Sequence, residues 1–302
     1  MNPILLPGQP SVPARRDPPF VSHSMSLKIL FIGDVVGAPG RKIVCQVLPR
    51  LIPRWGIGLV VCNAENAAGG SGLTVKCYEE LVEAGVDVMT MGDHVYRKDE
   101  IFQVFDLTDN VVRAANFPPD SPGPELALVK ARDGNLVAVF TVMGRTFMKP
   151  VDCPFRASER ILDRIGRDTN VVIVDIHAEA TSEKQLLARY LDGRVSAALG
   201  THTHVATADE QILKNGTAYQ TDVGMTGPHD SILGRRYDRV LSATLTCVPT
   251  HFDVATGDPR LNGALLTIDP ETGHALSISR VSINQDEALR LLTDSSTERR
   301  DH

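Results

Sequence analysis

Potential metal ligands recur along the chain, each directly after a short apolar segment. Their side chains carry carboxylates, amide oxygens or imidazoles, the groups that bind metals such as iron, manganese or zinc in mixed nitrogen and oxygen coordination. They are Asp34, Glu65, Asn66, Asp93, His94, His177, His202 and His204. On extended backbone, His202 and His204 face the same side because the strand period is two. This repetition predicts a shared metal site.

The apolar segments before these side chains are predicted strands of an α/β fold. Residues 28–32, 59–62, 86–91, 136–142, 171–176 and 195–199 form apolar runs typical of buried strands, and predicted helices at 41–51, 74–84 and 182–191 alternate with them. In such sheets, ligand sites lie beyond the carboxyl ends of the strands. Side chains that are far apart in sequence can therefore meet at one edge.

Each candidate ligand also has an explanation that involves no metal. Asp34 could cap a turn beside Gly33, Glu65 could be a solvated loop carboxylate, and His94 could be a hydrogen-bonded loop histidine. These explanations would have to coincide at five strand ends. The combined pattern therefore favours a common metal site over independent roles.

The number of candidate ligands exceeds what a single tetrahedral zinc ion needs. We interpret them as ligands of two metal ions bridged by a carboxylate, for which Glu65 is the best candidate. A ligand set without thiolate favours iron or manganese, with zinc as the alternative. Two ions about 3.5–4 Å apart clamp the attacking and leaving oxygens of a displacement at phosphorus.

Composition narrows the class of protein. The 302 residues are 42% hydrophobic and 23% charged, as in ordinary globular proteins. The net charge of −6 and the lack of a long basic run argue against duplex DNA as a partner. No apolar stretch approaches the roughly 18 residues that a membrane span needs. Five scattered cysteines without a Cys-x-x-Cys pair exclude a zinc ribbon and favour reduced thiols in a cytoplasmic protein.

We expect three parts along the chain. Residues 1–24 contain six prolines and are predicted to be a disordered extension, with Met25 as an alternative start; residues 25–285 form the domain, and residues 286–302 a C-terminal tail. Within the domain, 241–248, 264–268 and 276–281 are predicted strands. They favour either an antiparallel sheet or a small capping subdomain.

Two glycine-rich segments do not match nucleotide-binding motifs. Residues 33–42 fit neither the dinucleotide fingerprint nor a P-loop. The segment 69–72, Gly-Gly-Ser-Gly, has the wrong spacing for a nucleophile elbow. We interpret it as a loop over the site whose backbone N–H groups could hold a phosphate.

Longer blocks of sequence resemble one family. The segments FIGDVVGAPGR, NAENAAGGSGLT, DIHAEATSEK and GTHTHV are similar to those of the bacterial YmdB-type calcineurin-like metallophosphoesterases. The similarity extends from Lys28 to about Ser282. It implies a four-layer α-β-β-α sandwich for the domain and activity as a 2′,3′-cyclic-nucleotide phosphodiesterase.

The resemblance also implies a role for each candidate residue. Asp34, Glu65, Asn66 and His204 would hold one metal, and Glu65, Asp93, His177 and His202 the other. His94 would be the catalytic histidine. Four further residues, Arg113, Asn116, Arg145 and Arg156, lie in family-like blocks and could contact phosphate or simply face solvent. Position 93 departs from the family pattern, which usually has Asn there, and the added negative charge should change metal preference.

The implied reaction is attack on phosphorus by a hydroxide that bridges the metals, on a cyclic nucleotide or an RNA-end phosphodiester. Two alternatives remain open at this point. The chain could be another phosphoester hydrolase, such as a 5′-nucleotidase or phosphomonoesterase, or a non-enzymatic regulator that depends on metal or nucleotide. The sequence also leaves a homo-oligomer open.

Overall fold

The computed structural model describes residues 26–294, with side chains to Leu291. The predicted N-terminal extension of residues 1–24, the alternative start Met25 and the last residues of the predicted tail lie outside this range. Within it the chain forms two sheets with helices on their outer faces. The helices are α1 (Gly37–Trp55), α2 (Val75–Glu83), α3 (Glu100–Leu107), α4 (Pro154–Ile165), α5 (Thr181–Leu191), α6 (Tyr237–Thr246) and α7 (Gln285–Asp294).

The first sheet contains most of the strands that precede candidate ligands. Its order is β2-β12-β13-β1-β3-β4-β5, with β14 paired to β13. The strands are β1 (Leu27–Ile32), β2 (Asp34–Val35), β3 (Leu59–Asn63), β4 (Val88–Met91), β5 (Val111–Arg113), β12 (Met225–Asp230), β13 (Gly257–Ile268) and β14 (Ala275–Ile283). Strands β1, β3, β4 and β5 are parallel neighbours, so their carboxyl ends share one edge.

The second sheet has the order β10-β11-β9-β8-β7-β6. Its strands are β6 (Leu126–Lys130), β7 (Leu136–Met143), β8 (Val171–His177), β9 (Ala197–Thr201), β10 (Gln211–Ile212) and β11 (Ala218–Gln220). Strands β7, β8, β9 and β11 are parallel. Their carboxyl ends, too, lie along one edge.

Alternating side chains produce the four layers. On β1, Ile29 and Phe31 face the second sheet and pack with Val139 and Ile173, while Leu30 faces the outer helices. Helices α1, α2 and α3 cover the outer face of the first sheet, and α4 and α5 cover that of the second. This arrangement is the predicted α-β-β-α sandwich, with a central core between the sheets.

The closing third differs from the prediction in one element. Residues 241–248 were predicted as a strand, but residues Tyr237–Thr246 form helix α6, none of whose residues is buried. Tyr237, Leu241 and Leu245 are spaced four residues apart, which is the helical rather than the strand period. The other two segments do form an antiparallel sheet, because β13 pairs with β1 and β14 pairs with β13.

Candidate metal centre

Seven of the eight candidate site residues follow strand ends, and the eighth, His177, is the last residue of β8. Asp34 follows β1, Glu65 and Asn66 follow β3, and Asp93 and His94 follow β4. His202 and His204 come after β9 in the second sheet. The carboxyl edges of both sheets therefore supply one site, and the structure brings all eight residues together there.

Four of these residues form a compact cluster. Ligand atoms of Glu65, Asp93, His177 and His202 all lie within 4.8 Å of one another. His177 Nε2 lies 3.2 Å from Glu65 Oε1 and 3.4 Å from Asp93 Oδ1, and His202 Nδ1 lies 3.1 Å from His177 Nε2. This is the same set that the family resemblance assigned to one metal. Such a group of two carboxylates and two imidazoles could hold a metal ion.

The pKa values of the cluster show that its carboxylates favour positive charge on the neighbouring groups. Burial alone would raise the pKa of Glu65, but the adjacent His177 outweighs this and the pKa lies below its ordinary value. Burial would lower the pKa of His177, yet the surrounding carboxylates raise it well above the usual value. Burial and the nearby His177 lower the pKa of His202 to about 4. A bound cation would satisfy the carboxylates and leave both imidazoles neutral, as metal ligands must be.

Asp34, Asn66 and His204 form a second group, which meets the first at Glu65. Asn66 Nδ2 is 3.4 Å from Glu65 Oε1 and 3.3 Å from His204 Nε2, which is 3.8 Å from Asp34 Oδ1. Asp34 is fully buried, and its Oδ1 has no hydrogen-bond partner among residues 26–291. Burial raises the pKa of this carboxyl to about 6. An unpartnered buried carboxylate oxygen fits a metal ligand, whereas Asn66 would have to turn its amide so that Oδ1 faces the ion.

His94 lies between the two ligand sets. Its Nδ1 is 2.8 Å from Asn66 Oδ1 and its backbone N–H donates to Glu65 Oε2 at 3.3 Å. The contact with Asn66 favours the tautomer with the proton on Nδ1. The side chain is 26% exposed, so one edge of the ring is accessible to a substrate.

A buried polar network that sequence reasoning missed fixes the ring of His177. Thr201 Oγ1 lies 2.9 Å from His177 Nδ1 and donates to Asp175 Oδ1 at 2.6 Å. Asp175 also accepts from Asn63 and Thr90, and burial raises its pKa. With Nδ1 held in this way, Nε2 points at the cluster. Partners of this kind orient metal-binding histidines and fix their tautomer.

The turn between His202 and His204 is held by a second network. The extended backbone predicted for His202 and His204 is wrong: β9 ends at Thr201 and both histidines have left-handed backbone, with φ of 96° and 65°. This conformation is costly for side chains with a Cβ. Asp222 Oδ2 accepts from the N–H and the hydroxyl of Thr203 at 3.1 and 2.7 Å, and from Lys184 Nζ at 2.7 Å. No role was predicted for Asp222 from the sequence. In the structure its side chain is fully buried beneath this turn.

Gly92 allows the backbone after β4 to pass close to the ligand cluster. A Cβ at this position would collide with His177 and Glu65 Oε2. The backbone of the β4 loop therefore approaches the cluster as only glycine permits.

The four residues considered as phosphate contacts fall into two groups, two buried and two exposed. Arg113 is buried and pairs with Glu125 at 3.2 Å, and buried Asn116 bonds to the backbone of Met143. Both are structural. Arg145 and Arg156 are exposed.

One further neighbour of the ligand cluster was missed by sequence reasoning: Glu179 Oε2 lies 3.3 Å from His202 Nε2.

Comparison with known proteins decides the family. The family model for YmdB-like proteins matches residues 30–281, which includes every strand of both sheets except the start of β1 and the end of β14. The chain belongs to the YmdB-like family. It is 47% identical over 260 residues to a curated protein of Bacillus subtilis (strain 168), the 2′,3′-cyclic-nucleotide 2′-phosphodiesterase. The match covers 86% of this chain and 98% of that protein.

Two solved structures share the YmdB-like fold. A hypothetical protein from Thermus thermophilus superposes with a TM-score of 0.80 at 43% identity, over 85% of this chain and 99% of that one. A novel phosphatase from Mycoplasma pneumoniae also gives 0.80, at 32% identity over 90% and 98%. The calcineurin-like metallophosphoesterase fold expected from the sequence is thus confirmed. Within residues 26–294, no helix combines the length and apolar composition that crossing a bilayer requires.

Proposed function

We propose that this protein is a dinuclear-metal phosphodiesterase that hydrolyses cyclic nucleotides, with 2′,3′-cyclic nucleotides as the preferred class. The observation that carries the proposal is that two groups of candidate ligands meet at buried Glu65, and that His94 contacts a member of each group. The name of the Bacillus subtilis relative supports the choice of substrate.

Each ligand set contains residues suited to one ion. Glu65, Asp93, His177 and His202 would hold one, and Asp34, Asn66 and His204 would join Glu65 around the other. When bound, the two ions would lower the pKa of the water that attacks phosphorus and would neutralise charge on the phosphoryl oxygens. In the net reaction one water is consumed, a bond from phosphorus to a ribose oxygen breaks, and a phosphomonoester forms.

His94 is proposed as the group that protonates the departing ribose oxygen. When the Asn66 amide turns so that Oδ1 faces the ion, its Nδ2 would donate to His94 Nδ1 and the ring would carry its proton on Nε2. The partly exposed ring lets Nε2 approach a substrate. General acid catalysis of this kind contributes typically about 10²–10⁴-fold. Loss of His94 should therefore be less damaging than loss of a metal ligand.

The identity of the metals is proposed from the charge of the site. Asp93 adds a third carboxylate to Asp34 and Glu65, and its pKa is held well below the ordinary value because His177, His94 and His202 outweigh the effect of burial. A more anionic site favours a more highly charged ion. The charge therefore favours iron(III) over zinc, and the oxygen-rich ligand set without thiolate also suits manganese. The five free cysteines support the proposed cytoplasmic location.

A second candidate is a phosphomonoesterase, because the Mycoplasma pneumoniae structure is that of a phosphatase. The test is a panel of 2′,3′-cyclic AMP, 3′,5′-cyclic AMP and 5′-AMP, assayed on manganese-loaded and on chelated protein. The proposal predicts metal-dependent hydrolysis with the first compound preferred. Preference for 5′-AMP would support the phosphomonoesterase, and equal turnover after complete chelation would contradict both.

A further inference from the structure

A cavity of about 470 Å³ lies beside the metal centre and contains none of its proposed ligands. It is lined by Ala68, Gly69, Ser71, Lys98, Arg235, His251 and Phe252. We call it the basic pocket, because three of its side chains are cationic or can become so. None of its lining residues is acidic.

Three chain segments lead directly from the metal centre into the basic pocket. Ala68 follows Asn66 by two residues, so their Cα atoms are at most about 7.6 Å apart. Lys98 follows His94 by four residues. Arg235 comes two residues after Leu233, whose carbonyl oxygen is 3.0 Å from His204 Nδ1. The pocket is therefore within about one nucleotide's length of the metal centre.

The positive charge of the pocket is largely uncompensated. The Arg235 guanidinium donates to the carbonyl oxygens of Phe252, Gly69 and Gly70, and no carboxylate pairs with it among residues 26–291. No ion pair of Lys98 occurs in that range either. His251 is the exception, with Asp253 Oδ1 at 3.7 Å from its Nε2.

The glycine-rich loop of residues 69–72 adds hydrogen-bond donors that have no acceptor among residues 26–291. The N–H groups of Gly69 and Gly70 have no acceptor within the described part of the chain. Both glycines have left-handed backbone, and a Cβ at Gly70 would meet the Arg235 guanidinium. The loop thus brings free backbone amides next to a cation, which is a common way to bind phosphate.

We propose that the basic pocket binds the phosphate on the 5′ side of the reacting ribose. The inference rests on the proposed function: if a cyclic phosphate is at the metal centre, a 5′ phosphate one nucleotide unit away reaches Lys98 and Arg235. The preferred substrates then carry this phosphate, either as a 5′-phosphorylated cyclic nucleotide or as an oligoribonucleotide that ends in a 2′,3′-cyclic phosphate. Phe252, 39% exposed, would offer a ring beside it for the preceding base.

The test compares kcat/KM for three substrates on the manganese-loaded enzyme. They are 2′,3′-cyclic AMP, its 5′-phosphorylated form, and the dinucleotide ApA with a terminal 2′,3′-cyclic phosphate. The variant is Lys98→Gln, because Lys98 is exposed and its loss should not disturb folding. The matched control is Lys214→Gln, an exposed lysine between β10 and β11, away from the carboxyl edge.

We expect wild type to prefer both phosphorylated substrates over 2′,3′-cyclic AMP. Lys98→Gln should reduce this preference about 3- to 10-fold, mainly through KM, because a charge-assisted contact at an exposed site is lost. Lys214→Gln should leave the preference unchanged. Added salt should weaken it in wild type.

Three outcomes would overturn the inference while leaving the proposed function intact. One is equal kcat/KM for all three substrates, and another is a preference that Lys98→Gln does not alter. The third is a preference for the dinucleotide alone, which would assign the effect to the second base. Failure of wild type to hydrolyse any of the three would instead refute the proposed function.

Discussion

The Lys184–Asp222 ion pair connects the stability of the fold with the shape of the metal centre. Both side chains are fully buried, with Nζ and Oδ2 2.7 Å apart. The same Oδ2 accepts from Thr203, and Oδ1 accepts from the Gly224 N–H at 2.8 Å. Replacing Lys184 with Met keeps most of the side-chain volume but leaves the Asp222 carboxylate without its cation.

The expected cost is set by the buried charge. Removing one partner of a buried ion pair typically destabilises a protein by about 3–5 kcal/mol, whereas replacing both partners is often close to neutral. Lys184→Met should therefore lower the free energy of unfolding by about 3–5 kcal/mol. The double variant Lys184→Met/Asp222→Asn should recover part of this loss, because it removes the unpaired charge but keeps only one acceptor oxygen for Thr203 and Gly224. Because the turn carrying His202 and His204 loosens, metal affinity should also fall by about 10–100-fold in the single variant.

The assay is urea unfolding followed by circular dichroism in the presence of a chelator, so that metal binding does not contribute. Manganese affinity is measured separately by calorimetric titration. Lys214→Met serves as the control for loss of an exposed lysine. A single variant within about 1 kcal/mol of wild type, or a double variant less stable than the single one, would refute this reasoning.

Three further predictions concern single residues around the site. Gly92→Ala should lower manganese affinity by at least about tenfold, since the new Cβ displaces His177 and Glu65; unchanged titration calorimetry would contradict this. Asp93→Asn removes one negative charge and should shift metal preference away from iron(III), so an unaltered bound metal and pH–rate profile would argue against the role given to Asp93. Asp175→Asn should cost about 1.5–3 kcal/mol in urea unfolding and weaken manganese binding through His177, whereas wild-type values for both would show that the network behind His177 is dispensable.

The sequence was sufficient to predict the fold and the convergence of the site. Short apolar runs that end in polar residues mark buried parallel strands, and parallel strands share a carboxyl edge. That logic brought together Asp34, Glu65, His177 and His202 without any coordinates. The predicted roles of these residues as ligands, and of His94 as catalyst, stay predictions, as do the domain boundaries.

The parts that the sequence did not reveal depend on long-range contacts. Lys184 lies on the amphipathic helix α5, where a lysine is normally solvated, and only the fold places it against Asp222. Thr201 and Asp175 are 26 residues apart and meet because β8 and β9 are paired. Helix α6 was wrongly predicted as a strand because the β preference of its threonines was given more weight than the four-residue spacing of Tyr237, Leu241 and Leu245.

The number of metal ions per chain tests the central claim most directly. Protein reconstituted with excess manganese or iron and freed of loosely bound ions should contain two equivalents by elemental analysis. The Glu65→Gln variant, altered at the residue shared by both ligand sets, should contain fewer. Two ions per chain in wild type would agree with a bridged pair, whereas a single ion at saturation, or a content unchanged by Glu65→Gln, would contradict it.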